Sequence, residues 1–464
     1  MSITTEAKIS PITQTLAAYI AAAPRKALPK AVTEKTRHHI LDTFAAMVSG
    51  SKLPPGKAAL AYAKTLGGTK EATVVGSRRV TTTVNAALVN AMMAHADETD
   101  DSHAPSMMHP GCAIVAAALA FGEKHHSSGT ALLRAVALGY DVGARLNMSL
   151  GDSAFRRVGH LTHCFGPTFG ATAASAALCG FNAKQVRYAL AYAAQQAGGL
   201  SSYARDTEHI EKAFDFGGMP ARNGATAVSM VAAGCTATDD IFFGERGFYA
   251  AYDESTRTGR APDPSILVRE LGGTYEIMRT NIKRWTVGSP IQAPLDSLLT
   301  LIRGHKIKAA DVEKLVVRVS ITGANTVGDR DMPDICMQHM CAVMLLDGIA
   351  TFDSAHDKKR MRHHKVLALR KRIELIGDEA LQQKLPQRQG IVEITLRDGR
   401  VVRHHTEAVR GTPDNPMTRA EVDEKCYHLM VPVLGVKKSR ALCDAIWQIE
   451  KLTDARRLRP LLQC

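Results

Sequence analysis

No Cys-x-x-Cys pair occurs among the nine cysteines of this 464-residue chain, and they follow no regular framework. That argues against a zinc ribbon, an iron–sulfur cluster or a disulfide scaffold, and suits reduced thiols in a cytoplasm. Cys112, Cys179, Cys235 and Cys341 stand in apolar runs and are expected to pack as small hydrophobes. No apolar stretch approaches the ~20 residues a membrane span needs, and runs such as Gly111 to Gly122 are largely alanine. Pro and Gly are not in excess, and neither a fixed-period repeat nor a low-complexity tract appears, so disorder and solenoid architectures are not expected. The segment Met1 to Leu28 lacks a basic region leading into a continuous apolar core. It reads as an amphipathic helix rather than an export signal.

The charge balance is one-sided, at a formal +13. Much of the excess sits in Lys358, Lys359, Arg360, Arg362, His363, His364 and Lys365, a run with no interleaved aromatics. A solvated basic face therefore fits better than a nucleic-acid patch, and anionic small molecules become the natural partners. Neither nucleic acid nor membrane is expected as a partner.

With 45% hydrophobic and 22% charged residues the composition is that of an ordinary globular protein, long enough for two domains. From Thr13 to about Gly247, Ala-rich segments with helical spacing predict helices such as Val32 to Val48, Thr81 to Ala96, Gly166 to Gly180, Ala183 to Gly198 and Ala221 to Gly234. Ala-Pro-Asp-Pro after Arg260, then Gly272-Gly273, breaks that pattern. Val312 to Thr322 reads as a strand, and Gly390 to Arg403 as two strands around Asp398-Gly399. Ile335 to Phe352 and Lys365 to Gly377 read as helices, and helical spacing returns from Thr418. The expectation is a mainly α protein: a discontinuous all-helical domain over 1–265 and 405–464, with a smaller α+β lid over 266–404.

Four polar clusters interrupt this background. The densest is His95-Ala96-Asp97-Glu98-Thr99-Asp100-Asp101-Ser102-His103, followed by His109-Pro110-Gly111. Crowded carboxylates repel one another, so the stretch needs compensation: a bound metal, acid–base chemistry that tunes the imidazoles, or capping in a solvated loop. The second is Arg156 to His163 with Gly166-Pro167-Thr168-Phe169-Gly170, where a Gly-rich turn opening a helix would suit a carboxylate and a tight helix packing would need the same glycines. The third is Glu211-Lys212 through Gly217-Gly218 to Arg222-Asn223-Gly224. The fourth is Ile282-Lys283-Arg284-Trp285, a basic pair beside an aromatic.

In this order the four segments resemble the MmgE/PrpD family, whose members include 2-methylcitrate dehydratases, cis-aconitate decarboxylases and an iminodisuccinate epimerase. The family's His-Ala-x-Asp-Phe-Asp-Asp-Thr-His segment with a following His-Pro is matched by His95 to His103 and His109-Pro110. Lys212 to Gly224 and Leu41-Asp42-Thr43 match further family patterns. The resemblance implies a homodimer, a site between the two domains, and chemistry without metal or cofactor. It places Glu98, Ser102, His109, His160 or His163, Lys212 and Lys283 in that site. Three substitutions set this chain apart: Glu98 for the usual Asp, Thr99 for Phe and Ser102 for Thr. Asp334 stands near where other members carry Tyr.

Elimination of water from a hydroxy acid needs a base for the proton beside a carboxylate, cations for the charge that builds there, and an acid for the leaving hydroxyl. The expected assignment gives proton transfer to His109 and His160 or His163, with Glu98 and Asp101 orienting or sharing protons. Lys212, Lys283, Arg222 and His103 bind the carboxylates. A hydro-lyase on a small di- or tricarboxylic acid is thus the expected function, with epimerisation or decarboxylation by the same groups as alternatives. A catalytically silent polycarboxylate binder and a metal-dependent lyase complete the set.

Overall fold

The computed structural model describes residues 9–464. By its internal contacts the chain divides into two units. One comprises the residues up to Ala96, Asp101–Thr280 and Arg419–Cys464; the other comprises Asp97–Asp100 and Asn281–Thr418.

The first unit is built of helices. Its central helix, Pro110–Lys124, is buried from Pro110 through Glu123. A helix apolar on every side can only be a core helix. Around it lie helices Lys30–Gly50, Thr83–Ala94, Gly129–Ser149, Thr162–Leu178 and Met219–Ala232. Side-chain caps fix several starts: Thr82 accepts from the Asn85 amide, Ser128 from Ala131, and Asn182 forms a capping box with Gln185. The C-terminal helix Arg419–Trp447 contains Pro432 and turns at Gly435, whose φ of 78° lies in the left-handed region. Its Lys425 reaches Asp42 at 2.6 Å in the buried middle of helix Lys30–Gly50.

One close helix crossing is lined with glycines on both sides. A Cβ on Gly143 would lie 2.7 Å from the Gly166 carbonyl oxygen, and one on Gly170 would lie 2.6 Å from that of Gly139. Gly166 and Gly170 therefore serve backbone-to-backbone packing inside helix Thr162–Leu178, with Pro167 between them. They do not form a turn opening a helix, so of the two readings of this motif the packing one is correct. The segment before Thr280 also belongs to this unit: the Arg145 guanidinium donates to the carbonyls of Ile266, Arg269 and Thr274, holding an irregular chain against helix Gly129–Ser149.

The second unit contains a four-stranded sheet in the order Ile373–Asp378, Val312–Ser320, Gly390–Leu396, Val401–Thr406. The first pair is parallel and the other two are antiparallel. Leu315, Val317 and Val319 alternate inward against helices Ser289–His305 and Met337–Asp347. The helix expected over Lys365 to Gly377 ends at Arg370, and Ile373–Asp378 is a strand. Its Ile-Glu-Leu-Ile run pairs in parallel with Val312–Ser320, and that non-local pairing overrides the short local signal.

All nine cysteines are free thiols. Cys112 and Cys341 are buried, and Cys179 and Cys235 partly so. No helix among the described residues is long and apolar enough to cross a membrane.

Candidate active site

Three histidines of the first unit gather around one phenylalanine, and a fourth, His209, joins them through His95. His95 ends helix Thr83–Ala94 and His109 precedes Pro110 at the start of the central helix. His163 is the second residue of helix Thr162–Leu178, and His209 leads into the short helix Ile210–Ala213 with φ 63°. The His95 and His109 rings are 4.9 Å apart, His95 and His209 are 5.3 Å apart, and His109 and His163 are 5.3 Å apart. Phe216 stacks on His163 at 3.8 Å and on His95 at 4.6 Å. The Lys212 ammonium stands 5.1 Å from the same phenyl ring.

Phe216 lies in a π-helical turn, Phe214–Gly218. Such a turn inserts an extra residue and leaves main-chain carbonyls without their usual partners. Two buried thiols fill the gap, Cys164 toward Asp215 O at 2.8 Å and Cys112 toward Phe216 O at 3.4 Å. Gly217 is needed because a Cβ there would fall 2.4 Å from the Ala91 carbonyl oxygen. Asp206 accepts from the His209 and Lys212 amides, which fixes the left-handed residue and the lysine together. Burial, with Glu211 and Asp206 nearby, pushes the Asp215 carboxyl up to about 7.

The imidazoles differ in electrostatics. Burial, reinforced by His109, Arg156, His95 and Lys212, holds His163 well below the usual histidine range. It is therefore neutral at pH 7. Its Nδ1 has no hydrogen-bond partner among the described residues. His95 with His109, and His95 with His209, have ring nitrogens within 4.8 Å, so these imidazoles could also hold a metal ion.

Models of the MmgE/PrpD N-terminal domain and of the MmgE/PrpD C-terminal domain match residues 14–260 and 285–451. The chain belongs to the MmgE/PrpD family. Relatives of this MmgE/PrpD protein include the cis-aconitate decarboxylase-like protein oryM of Aspergillus oryzae, 22% identical over 495 residues that span 100% of this chain and 99% of the relative. The cis-aconitate decarboxylase of Homo sapiens is 23% identical over 453 residues, spanning 93% of this chain and 90% of that one.

Within this MmgE/PrpD protein the sequence-derived candidates separate. His109, His163 and Lys212 belong to the histidine cluster. His160 stacks instead on Phe155 at 4.2 Å and meets Glu254 at 2.7 Å. Asp101 is wholly buried: its carboxylate is 2.7 Å from His39 Nδ1 and accepts from Tyr140 Oη at 2.6 Å and the Gly111 amide at 2.9 Å. It thus fixes the chain just past His109. His103 is buried and held by Ser106 and Glu276 through both ring nitrogens. Arg222 packs over Phe214 and donates to Asn223, and Ser102 is half-buried.

In the second unit, buried Lys283 donates to the Glu98 carbonyl at 2.9 Å and to its carboxylate at 3.3 Å, with Asp100 at 3.7 Å. Burial pulls the ammonium pKa down, but Glu98, Asp100 and Asp97 outweigh it and hold the group above its usual range. His356 pairs with Asp97 at 3.0 Å.

His209, Phe216, His39, Tyr140 and His356 were not among the sequence candidates. Only His209 had a local signal, three residues before Lys212.

These buried imidazoles predict a pH optimum of stability. Burial holds His39, and likewise the buried His339 of helix Met337–Asp347, at about 4, so between about 6.5 and about 4 the unfolded chain binds protons the folded one refuses. Stability falls as pH drops through that window. His356 is opposite: burial lowers its pKa, yet the bond and charge of Asp97 raise it to about 9. Its contribution is complete below about 6.5 and disappears as pH rises through about 9. Melting curves from pH 4 to 9 should fall on both sides, and His356→Gln should shrink only the alkaline fall.

Proposed function

We propose that this protein is a lyase that removes a proton beside a carboxylate of a small di- or tricarboxylic acid. The observation that carries the reading is the 5.3 Å approach of the His109 and His163 rings beside Phe216, with Lys212 at the same phenyl ring. In the proposed step the neutral imidazole of His163 takes the α-proton. The electrons of that C–H bond pass into the adjacent carboxylate, giving an enediolate-like intermediate. Lys212 stabilises the new charge. Their return forms the double bond and expels the β-hydroxyl, which leaves as water with a proton from the other histidine. Lys283 and Glu98 enter the proposal through the family resemblance, Lys283 as a second carboxylate-binding cation and Glu98 as the group that orients it.

Decarboxylation is the second reading, favoured by the names of the two relatives. There the departing carboxylate leaves its electron pair on carbon, and a histidine supplies the proton.

A panel of citrate-like and hydroxy-diacid substrates in deuterated water tests both. Elimination predicts deuterium at the α-carbon of recovered substrate and an unsaturated product with all its carboxylates. Decarboxylation predicts release of carbon dioxide and deuterium at the carbon it left. Absence of both exchange and turnover across the panel would overturn the proposal. If polycarboxylates then only raised the melting temperature, the chain would be a binding protein.

A further inference from the structure

The basic pair Lys283-Arg284 sends its two side chains to different surroundings. Lys283 is buried against Glu98 and Asp100, whereas the Arg284 guanidinium lies over the Trp285 ring at 4.7 Å with Nη1 3.3 Å from Asp296. Asp296 stands in helix Ser289–His305 and also accepts from Trp285 Nε1 at 2.9 Å and from the Arg410 amide at 3.2 Å. A further main-chain bond runs from the Ile282 amide to Gly411 O. Gly411 is obligatory there: its φ is 101°, and a Cβ would fall 1.8 Å from the Ile282 carbonyl oxygen. The strap around Arg284 is therefore tied to the loop around Arg410, and both are built on one helix.

Between them opens a cavity of about 400 Å³, entirely within the second unit. Arg284, Arg303 and Arg410 line it, joined by His404 and His405 at the end of strand Val401–Thr406. Two of the guanidiniums are aimed by the protein, Arg284 by Trp285 and Asp296, and Arg410 by Asn415 Oδ1 at 2.6 Å. Arg303 makes no ion pair among the described residues. Of the two acids on the wall, Asp296 is occupied by donors from three residues and Glu407 is exposed. Three arginines lining one cavity, two of them with guanidiniums held by neighbouring side chains, match the planar bidentate recognition of phosphate or carboxylate oxygens.

We propose that this cavity is a binding site for a small polyanion, separate from the histidine cluster of the first unit. Arg284 is covalently next to Lys283, so a ligand on Arg284 acts one residue away from the buried lysine.

Inorganic pyrophosphate is the probe, titrated calorimetrically into the full-length protein. Arg303→Glu is the main variant, since this side chain is exposed and unpaired and its replacement leaves the fold intact; Arg303→Gln removes the charge without reversing it. Saturable binding is expected, weakened about tenfold or more by Arg303→Glu and less by Arg303→Gln. Lys212→Ala should bind pyrophosphate as the unaltered chain does. Tricarballylate titrated into Lys212→Ala then distinguishes the anion: binding weakened by Arg303→Glu in that background means that carboxylates are taken as well as phosphates, and no binding restricts the site to phosphates. No pyrophosphate binding up to about 10 mM, binding unchanged in Arg303→Glu, or binding abolished by Lys212→Ala would each overturn the site. None of these outcomes depends on whether the protein proves to be a lyase.

Discussion

His163→Gln is expected to lower kcat about 10²–10⁴-fold on whatever acid the deuterium panel identifies. The residue is buried and kept neutral, and it stacks on Phe216 within 5.3 Å of the His109 ring. Glutamine keeps much of the volume and a polar end but exchanges no proton near neutral pH, so the melting temperature should change far less than the rate. His109→Gln should cost a similar factor. The double variant should cost much less than the product of the two, because groups acting in one proton relay fail together. His160→Gln is the internal control. Its ring serves Phe155 and Glu254, so a loss of stability with kcat preserved is expected. A rate collapse in His160→Gln with normal turnover in His163→Gln would exchange the roles of the two and remove the main support for the proposed chemistry.

Asp101→Ala is expected to be the most destabilising single change in the carboxylate-rich stretch, about 3–5 kcal/mol. The loss comes from the partners left behind: the His39 imidazole, the Tyr140 hydroxyl and the Gly111 amide are all buried and all turn toward this one carboxylate. Each donor stranded without water costs its own desolvation. Asp101→Asn keeps the shape and one acceptor oxygen, so it should lose less. Urea midpoints for the two variants measure the difference. A loss under about 1 kcal/mol for Asp101→Ala would mean that water fills the gap and that the network is not fixed as described.

This explains why the sequence was legible in some places and not in others. The helical character of the first unit could be read because Ala-rich periodicity is local. Strand Ile373–Asp378 could not, because what makes it a strand is a partner about 60 positions away in the chain. The run from His95 to His103 announced itself by charge, but charge does not say where each side chain points. Asp101 turns to His39 and Tyr140, whereas Asp97–Asp100 belong to the second unit. His160 and His163 were equivalent as letters. Three residues on a helix is nearly one turn, but His160 precedes helix Thr162–Leu178 and His163 lies inside it, and that difference separates their neighbours. Phe216 had no chemical signature at all. It matters because a π-helical turn, set by Gly217 against Ala91, places its ring between the imidazoles.

The glycine crossing between helices Gly129–Ser149 and Thr162–Leu178 bears on how such a protein can change over time. Where helices meet through side chains, each core replacement moves the axes slightly and carries attached groups with it. Here main chain rests on main chain, with Gly139 and Gly143 against Gly166 and Gly170 and the Ile114 and Asn147 side chains wedged beside them, so few rotamers can readjust. His163 is mounted one turn from that contact, like a tool clamped near its vice. Replacements elsewhere in the core are therefore expected to shift His163 less than residues whose helices meet through side chains alone.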